Sequence, residues 1–279
     1  MRNIFSIDVE EYFHDIYAWD TSSNSCRNLN YRTPKNIEHI LNLLDEYDIK
    51  ATFFMVGEIA EKFPHVIKRI CGKGHELAFH GYHHKPLWKS NSEELKSDIM
   101  KFNSLMNKKC LGFRAPWFSL NNRTKWALEV LENANFIYDS SIFPTKTPLY
   151  GVWEAPVNPY RPSYEDVTRE NESGKLLEFP LFVYSLFGLK IPMAGGFYLR
   201  FFPISMIERA VKRANEHGTP AVIYIHNWEL DPETSKLKPR SFVSPMIYYN
   251  VKGTERRVRH LLNHFRFISF QDYIEEHGL

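Results

Sequence analysis

The sequence predicts an α/β protein built around a parallel sheet, which is either open or closed into a barrel. Short apolar runs alternate with amphipathic helical patterns along most of the chain, as in proteins whose strands are joined by helical crossovers. No internal repeat or low-complexity tract interrupts this alternation. We therefore interpret residues 1–279 as a single domain whose C-terminal half, from about residue 150, is elaborated.

The first half of the chain shows the alternation most clearly. Apolar residues predict a strand over residues 4–9, and their helical spacing predicts a helix over residues 34–47. Thr33 is the expected N-cap of this helix, and Pro34 fits its first turn. The same reasoning predicts further strands at 51–56 and 75–80 and further helices at 64–72 and 92–107.

The pattern continues through the second half. It predicts strands at 112–116, 136–140 and 221–226 and helices at 124–133, 204–216 and 253–265, followed by an apolar run at 267–270. The polar stretch 161–175 is predicted to be a loop.

Composition excludes several classes of protein. The net charge is only +2 with scattered basic residues, which argues against a nucleic-acid partner. The apolar region 176–203 is broken by charged residues and prolines, so no transmembrane segment is expected. The three cysteines, Cys26, Cys71 and Cys110, form no C-x-x-C pair and favour a reducing compartment. With no signal peptide recognised, we expect a cytoplasmic protein.

Polar side chains follow the predicted strands at the points where the strands end. Asp8 and Glu10 end the first strand, and the sequence HGYHH, residues 80–84, ends the third. Arg114, Asp139 and His226 follow later strands. Because the C-terminal ends of parallel strands meet at one edge of the sheet, we expect these groups to converge at one mouth.

The histidines suggest a metal site. His80 and His84 are four residues apart, so if that turn is helical both imidazoles project from one face and can hold one ion. His83 offers a competing spacing with His80. An isolated H-x-x-x-H is more often a set of polar loop histidines. A carboxylate at the end of the first strand favours the metal interpretation.

Asp8 and Glu10 alternate with Val9, so both carboxylates should point to the same side of the strand. Two carboxylates facing one cavity repel each other, and a divalent cation or Arg114 could supply the opposing charge. One of the two could then bind metal while the other acts as a base. Two histidines and one carboxylate leave coordination positions open, as in catalytic zinc sites. Cobalt, nickel and ferrous iron also suit such a site.

These segments resemble a known family. The sequences DVE, HGYHH, GFRAPWF and YIHNW are similar to the motifs of the NodB-type polysaccharide deacetylases, carbohydrate esterase family four. The later segments GGFYLRFFP and HNWELDP resemble the cytoplasmic exosortase-associated polysaccharide deacetylase branch. The resemblance implies a distorted (β/α) barrel of about seven parallel strands, the NodB homology fold.

The resemblance also implies roles for individual residues. Asp8 matches the catalytic base, Arg114 the residue that holds it, and His226 the general acid. Glu10, His80 and His84 match the metal ligands. A backbone N–H near Trp117 would complete the oxyanion hole. Asp8-Val9-Glu10 replaces the family's adjacent Asp-Asp pair, so which carboxylate is base and which is ligand stays open.

Three further residues are candidate substrate contacts. Trp117 and Trp228 could serve as platforms for a sugar ring, since aromatic faces pack on the apolar face of pyranoses. Asp139 could contact substrate, but a capping role is an equal alternative.

The expected function is therefore hydrolysis of N-acetyl groups on N-acetylhexosamine units of a bacterial polysaccharide or of its nucleotide- or lipid-linked precursor. One divalent ion, zinc first, is the expected cofactor, and an N-acetylated sugar or glycan is the expected partner. A lipid-linked substrate would add peripheral membrane contact. The alternatives are a metal-dependent hydrolase of a small amide, similar to allantoinases, and a carbohydrate-binding protein with a degenerate site.

Overall fold

A parallel sheet of eight strands forms the centre of the computed structural model, which describes residues 1–14, 31–106, 109–234, 246 and 248–279. Cys26 lies outside these residues. Two further strands form a separate antiparallel hairpin, β7 with β8. In chain order the ten strands among the described residues are β1 (Arg2–Val9), β2 (Thr52–Met55), β3 (Glu76–Phe79), β4 (Gly112–Phe113), β5 (Tyr138–Asp139), β6 (Leu177–Glu178), β7 (Val183–Leu186), β8 (Leu189–Pro192), β9 (Val222–His226) and β10 (Arg266–Ile268).

Helices connect the strands and cover the sheet. In chain order the described α-helices are α1 (Thr33–Glu46), α2 (Gly57–Lys62), α3 (Pro64–Gly72), α4 (Ser92–Ser104), α5 (Trp126–Asn133), α6 (Gly196–Phe201), α7 (Ile204–Glu216), α8 (Thr254–His264) and α9 (Phe270–His277). Among the described residues, none of these helices has the length and apolar content needed to cross a bilayer.

Strand β1 is the centre of the sheet. It pairs with β9 through Ile4–Asp8 and with β2 through Ser6–Val9, while β10 pairs with its first residues. Strands β2 to β6 then follow in chain order, and every pairing is parallel. In this register Asp8 lies beside His226, so the topology itself brings two predicted site residues together.

The sheet also curls back on itself. Beyond β6, the backbone N–H of Phe182 donates to Val222 on β9, and Gly195 forms a parallel bridge with Tyr224. These contacts bring the later chain back to β9 and give the distorted, partly closed barrel that was predicted. The sheet has eight strands where about seven were expected, because β10 adds a three-residue strand beside the start of β1. The sheet takes strands from both halves of the chain, and the single-domain interpretation stays a prediction.

The first predicted helix shows why the sequence folds as it does. Its apolar positions Ile37, Ile40 and Leu44 are buried, as their spacing predicts. The N-cap prediction was wrong, because the helix begins at Thr33 and Arg32 is its N-cap. The Glu11 carboxylate instead accepts the backbone N–H groups of Arg32 and Thr33, which satisfies donors at the helix start.

Candidate functional site

The C-terminal edge of the sheet forms a cavity of about 580 Å³, including its open mouth. Asp8 reaches it from the end of β1, His226 from the end of β9, and His80 from the residue after β3. The predicted convergence of these strand ends is therefore present. The lining residues are Asp8, His80, His84, Trp117, Phe118, Tyr150, Phe197, Arg200, Tyr224, His226, Trp228 and Met246.

Glu10, His80 and His84 form a buried triad in which one donor atom from each residue lies within 4.8 Å of the others. Oε2 of Glu10 is 2.6 Å from Nε2 of His84. The two histidines do not meet through a helical turn, as the sequence reasoning assumed. The chain instead bends after His80, with left-handed backbone at Gly81 (φ 72°) and at His84 (φ 50°).

The tautomer of His80 is set by its neighbour. Nδ1 of His80 lies 2.8 Å from the backbone oxygen of Arg114, which can only accept, so Nδ1 carries the proton and Nε2 the lone pair. Burial lowers the pKa of His80 to about 4, which keeps this imidazole neutral near pH 7. A neutral imidazole held through its other nitrogen is the usual form of a metal-binding histidine.

Glu10 is held on both its backbone and its side chain. Its N–H donates to Oδ1 of Asn227 at 2.9 Å, and its Oε1 accepts the indole N–H of Trp228 at 3.2 Å. Burial alone would raise the pKa of Glu10, but the adjacent imidazoles of His84 and His226 lower it below its usual value. With two imidazole nitrogens and one ionised carboxylate oxygen converging, the donor set fits a divalent ion such as Zn²⁺.

Asp8 has a different partner. Nη1 of Arg114 donates to Oδ1 of Asp8 at 2.6 Å and to Oγ of Ser6 at 2.9 Å. The rest of the guanidinium is fixed by Ser140, through its backbone oxygen at 3.0 Å and its hydroxyl at 3.1 Å. The guanidinium also lies 4.0 Å from the centre of the Phe54 ring. Arg114 therefore holds Asp8 in the cavity with its charge balanced.

His226 is half-buried and lies between two buried carboxylates, those of Glu10 and Glu229. Its Nδ1 lies 2.5 Å from Oε1 of Glu229, and the other oxygen of Glu229 pairs with Arg200. Its Nε2 is 3.7 Å from Oε1 of Glu10. Burial acts to lower the pKa of His226, but the carboxylates of Glu10 and Glu229 outweigh it and raise the pKa to about 10. A cation bound at Glu10 would oppose that rise.

The residues predicted to contact the substrate differ in their exposure to the cavity. Trp117 lies in the cavity wall with left-handed backbone (φ 60°), and Phe118 follows it at φ 47°. Such strained residues cluster at functional sites. Trp228 also lines the cavity, but it is 1% exposed and stacks on His226 with ring centroids 5.1 Å apart. Its contacts make it a support for Glu10 and His226.

Asp139 is absent from the cavity lining. It is fully buried and accepts the hydroxyl of Ser141 at 2.5 Å, while that hydroxyl accepts the backbone N–H of Ala115 at 2.7 Å. Burial raises the pKa of Asp139 to about 6. These contacts hold Ala115, two residues before Trp117, in place. They give no support to the prediction that Asp139 contacts the substrate.

Sequence reasoning missed several cavity residues. Arg200 was noticed only as part of a motif and as a break in an apolar region, yet it anchors Glu229. Tyr150, Phe197 and Tyr224 carry no local signal that distinguishes them from core aromatics. His14 is not a lining residue, but it stacks on His84 with ring centroids 5.7 Å apart. Tyr224 and Phe197 lie within the segments YIHNW and GGFYLRFFP, yet only the fold shows that their rings line the cavity.

Two family models match successive parts of the chain. The family model described as "Polysaccharide deacetylase" matches residues 20–135. The model described as "Domain of unknown function (DUF3473)" matches residues 140–275.

Two curated relatives match part of the chain. A peptidoglycan-N-acetylglucosamine deacetylase of Bacillus cereus is 41% identical over 104 residues, which are 35% of this chain and 36% of the relative. A peptidoglycan deacetylase of Helicobacter pylori is 33% identical over 119 residues, which are 41% of this chain and 40% of the relative. The chain thus spans well under half the length of either relative.

The fold has a solved counterpart. A structure from Mycobacterium smegmatis, assigned as a polysaccharide deacetylase, superposes with a TM-score of 0.62 at 18% identity, covering 98% of this chain and 88% of that one. This similarity supports the NodB fold alone. With the two family models, the resemblance predicted from the motifs is confirmed. Residues 20–135 thus match the polysaccharide deacetylase family, and residues 140–275 match the DUF3473 family.

Proposed function

We propose that the protein is a zinc-dependent hydrolase that removes N-acetyl groups from N-acetylhexosamine units of a bacterial polysaccharide or of its nucleotide- or lipid-linked precursor. The main support is that His80 and His84 line one cavity with Asp8 and His226 and form a donor group with the buried Glu10. Two imidazoles and one carboxylate leave coordination positions for water and substrate, which four-ligand structural sites lack.

The proposed mechanism assigns one task to each group. Glu10, His80 and His84 would hold a divalent ion, which would supply Lewis-acid chemistry by polarising the amide carbonyl and lowering the pKa of a water molecule. Asp8, held by Arg114, accepts a proton as that water attacks. His226 donates a proton to the departing amine, which is otherwise a poor leaving group, and Glu229 holds its Nδ1. A backbone N–H at Trp117 is proposed to stabilise the oxyanion.

The substrate class follows from the cavity wall and from the relatives. Aromatic side chains such as Tyr150, Phe197 and Trp117 line the cavity and suit the apolar face of a sugar ring. The names of the two curated relatives refer to peptidoglycan, whose sugars include N-acetylhexosamines. A cytoplasmic location is proposed because the three cysteines of the sequence form no C-x-x-C pair and are odd in number.

Hydrolysis of three kinds of amide tests this proposal, measured as acetate release for the N-acetylated sugars and as ring opening for allantoin. We expect release from N-acetylglucosamine oligomers or from nucleotide- or lipid-linked N-acetylhexosamines, and we expect a chelator to stop it. Allantoin serves as the comparison substrate. Hydrolysis of allantoin alone would instead indicate a small-amide hydrolase. Saccharide binding without turnover, with or without added Zn²⁺, would indicate a carbohydrate-binding protein.

Trp228→Phe tests how the carboxylate ligand is held. The change removes the indole N–H that donates to Glu10 but keeps a ring that can stack on His226. Losing such a supporting hydrogen bond typically weakens metal affinity about 10–100-fold. Zn²⁺ titration of the metal-free proteins measures the change. Trp126→Phe, on α5 and outside the cavity lining, is the matched control, and equal affinities for the two variants would refute the assignment.

A further inference from the structure

A second cluster of metal-ligating side chains lies on the surface, across helices α7 and α8. Glu208 belongs to α7, whereas His260 and His264 belong to α8. The two histidines are four residues apart in a regular helix, so their side chains share one face. One donor atom from each of the three residues lies within 4.8 Å of the others.

The contacts of these residues indicate which of their atoms could bind an ion. Nδ1 of His264 lies 2.7 Å from the backbone oxygen of His260, so this nitrogen carries the proton and Nε2 carries the lone pair. Oε1 of Glu208 accepts Nζ of Lys212 at 2.5 Å, while Oε2 lies 3.0 Å from Nε2 of His260. The two imidazoles stack with centroids 4.1 Å apart.

We propose that Glu208, His260 and His264 form a second divalent-metal site, separate from the catalytic cavity. None of the three residues is among those that line that cavity. Two imidazoles with one carboxylate and no thiolate suit Zn²⁺, Ni²⁺ or Cu²⁺. The side chains of Glu208 and His260 are 20% and 30% exposed, so an ion can enter from solvent and water can complete its coordination.

A metal at this position would act as a clamp between helices. It would replace the single His260–Glu208 hydrogen bond with three metal–ligand bonds, one to α7 and two to α8. Arg257 on α8 also donates to the backbone oxygens of Leu199 and Phe202, at the C-terminal part of α6. The clamp would therefore fix α8 against the chain that carries Arg200, and the expected effect is on stability.

The zinc stoichiometry of residues 1–279 tests the proposal. We expect two equivalents of Zn²⁺ for the wild type and one for His264→Ala, with acetate release unchanged in that variant. His84→Ala should also keep one equivalent, and the double variant H84A/H264A should bind none. Zn²⁺ should raise the Tm of His84→Ala but not that of the double variant. Glu208→Gln provides an independent variant and should lose the same equivalent.

His39→Ala is the matched control. His39 is an exposed histidine whose Nε2 lies 3.1 Å from Glu255, and it belongs to no three-residue donor group among the described residues. This variant should keep both equivalents. The proposal is overturned if His264→Ala binds as much Zn²⁺ as the wild type. A wild type that binds one equivalent, lost in His264→Ala but kept in His84→Ala, would support this site and refute the catalytic one.

Discussion

His84→Ala is expected to lose the catalytic metal and the hydrolytic activity together. The imidazole of His84 is one of three donors, and its side chain is only 3% exposed beside Glu10. Without it the remaining carboxylate and imidazole form an incomplete site. Loss of Lewis-acid catalysis is worth several kcal/mol of barrier, which corresponds to a decrease of roughly a thousandfold or more. Zinc content and acetate release on the same sample measure both effects.

His83→Ala is the natural control for this prediction. His83 is adjacent in sequence and offers the competing spacing with His80, but its side chain is 56% exposed and Nδ1 lies 2.6 Å from Glu58. The variant should keep the catalytic metal and near-normal activity. If His83→Ala loses the metal while His84→Ala keeps it, the ligand assignment is wrong.

Asp8→Asn is expected to keep the catalytic metal and lose turnover by about 10²–10⁴-fold, the usual contribution of a general base. Asn keeps an oxygen that can accept from Arg114, so the arrangement of the cavity should persist. It cannot accept a proton from the attacking water at neutral pH. Steady-state acetate release gives the loss in kcat, and circular dichroism checks that the protein is folded.

A folding control matters here because Arg114 is fully buried and pairs with Asp8 at 2.6 Å. Leaving a buried charge without its partner typically costs about 3–5 kcal/mol of stability. The hydrogen bonds from Arg114 to Ser6 and Ser140 remain in the variant and limit that cost. A folded Asp8→Asn protein with wild-type turnover would show that Asp8 is not the base.

Much of the fold could be predicted because its main elements have strong periodic signals. Helices α3 and α7 were predicted with their exact bounds, and β1 and α1 to within two residues at either end. The six-residue helices α2 and α6 were missed, since they are too short to show a period. Strands β4 and β5 were predicted longer than their two residues.

The candidate site could likewise be predicted only in part. Its strand-end residues could be found because parallel strands place their C-terminal ends at one edge. The residues that orient these strand-end groups could not be found from the sequence, because their contacts depend on tertiary packing. Glu229 is only three residues from His226 in sequence, but nothing local indicated its pairing with Arg200. The hydrogen bond from Trp228 to Glu10 joins residues 218 positions apart.

The zinc content of Asp8→Asn compared with that of Glu10→Gln tests most directly which groups surround the catalytic ion. Both are prepared in the His264→Ala background, so that only the catalytic site is counted. Asp8→Asn should retain about one equivalent and Glu10→Gln none, since Glu10 lies against His84 while Asp8 is held by Arg114. The reverse pattern, with zinc lost from Asp8→Asn and kept by Glu10→Gln, would contradict the assignment of Glu10 as metal ligand and Asp8 as base.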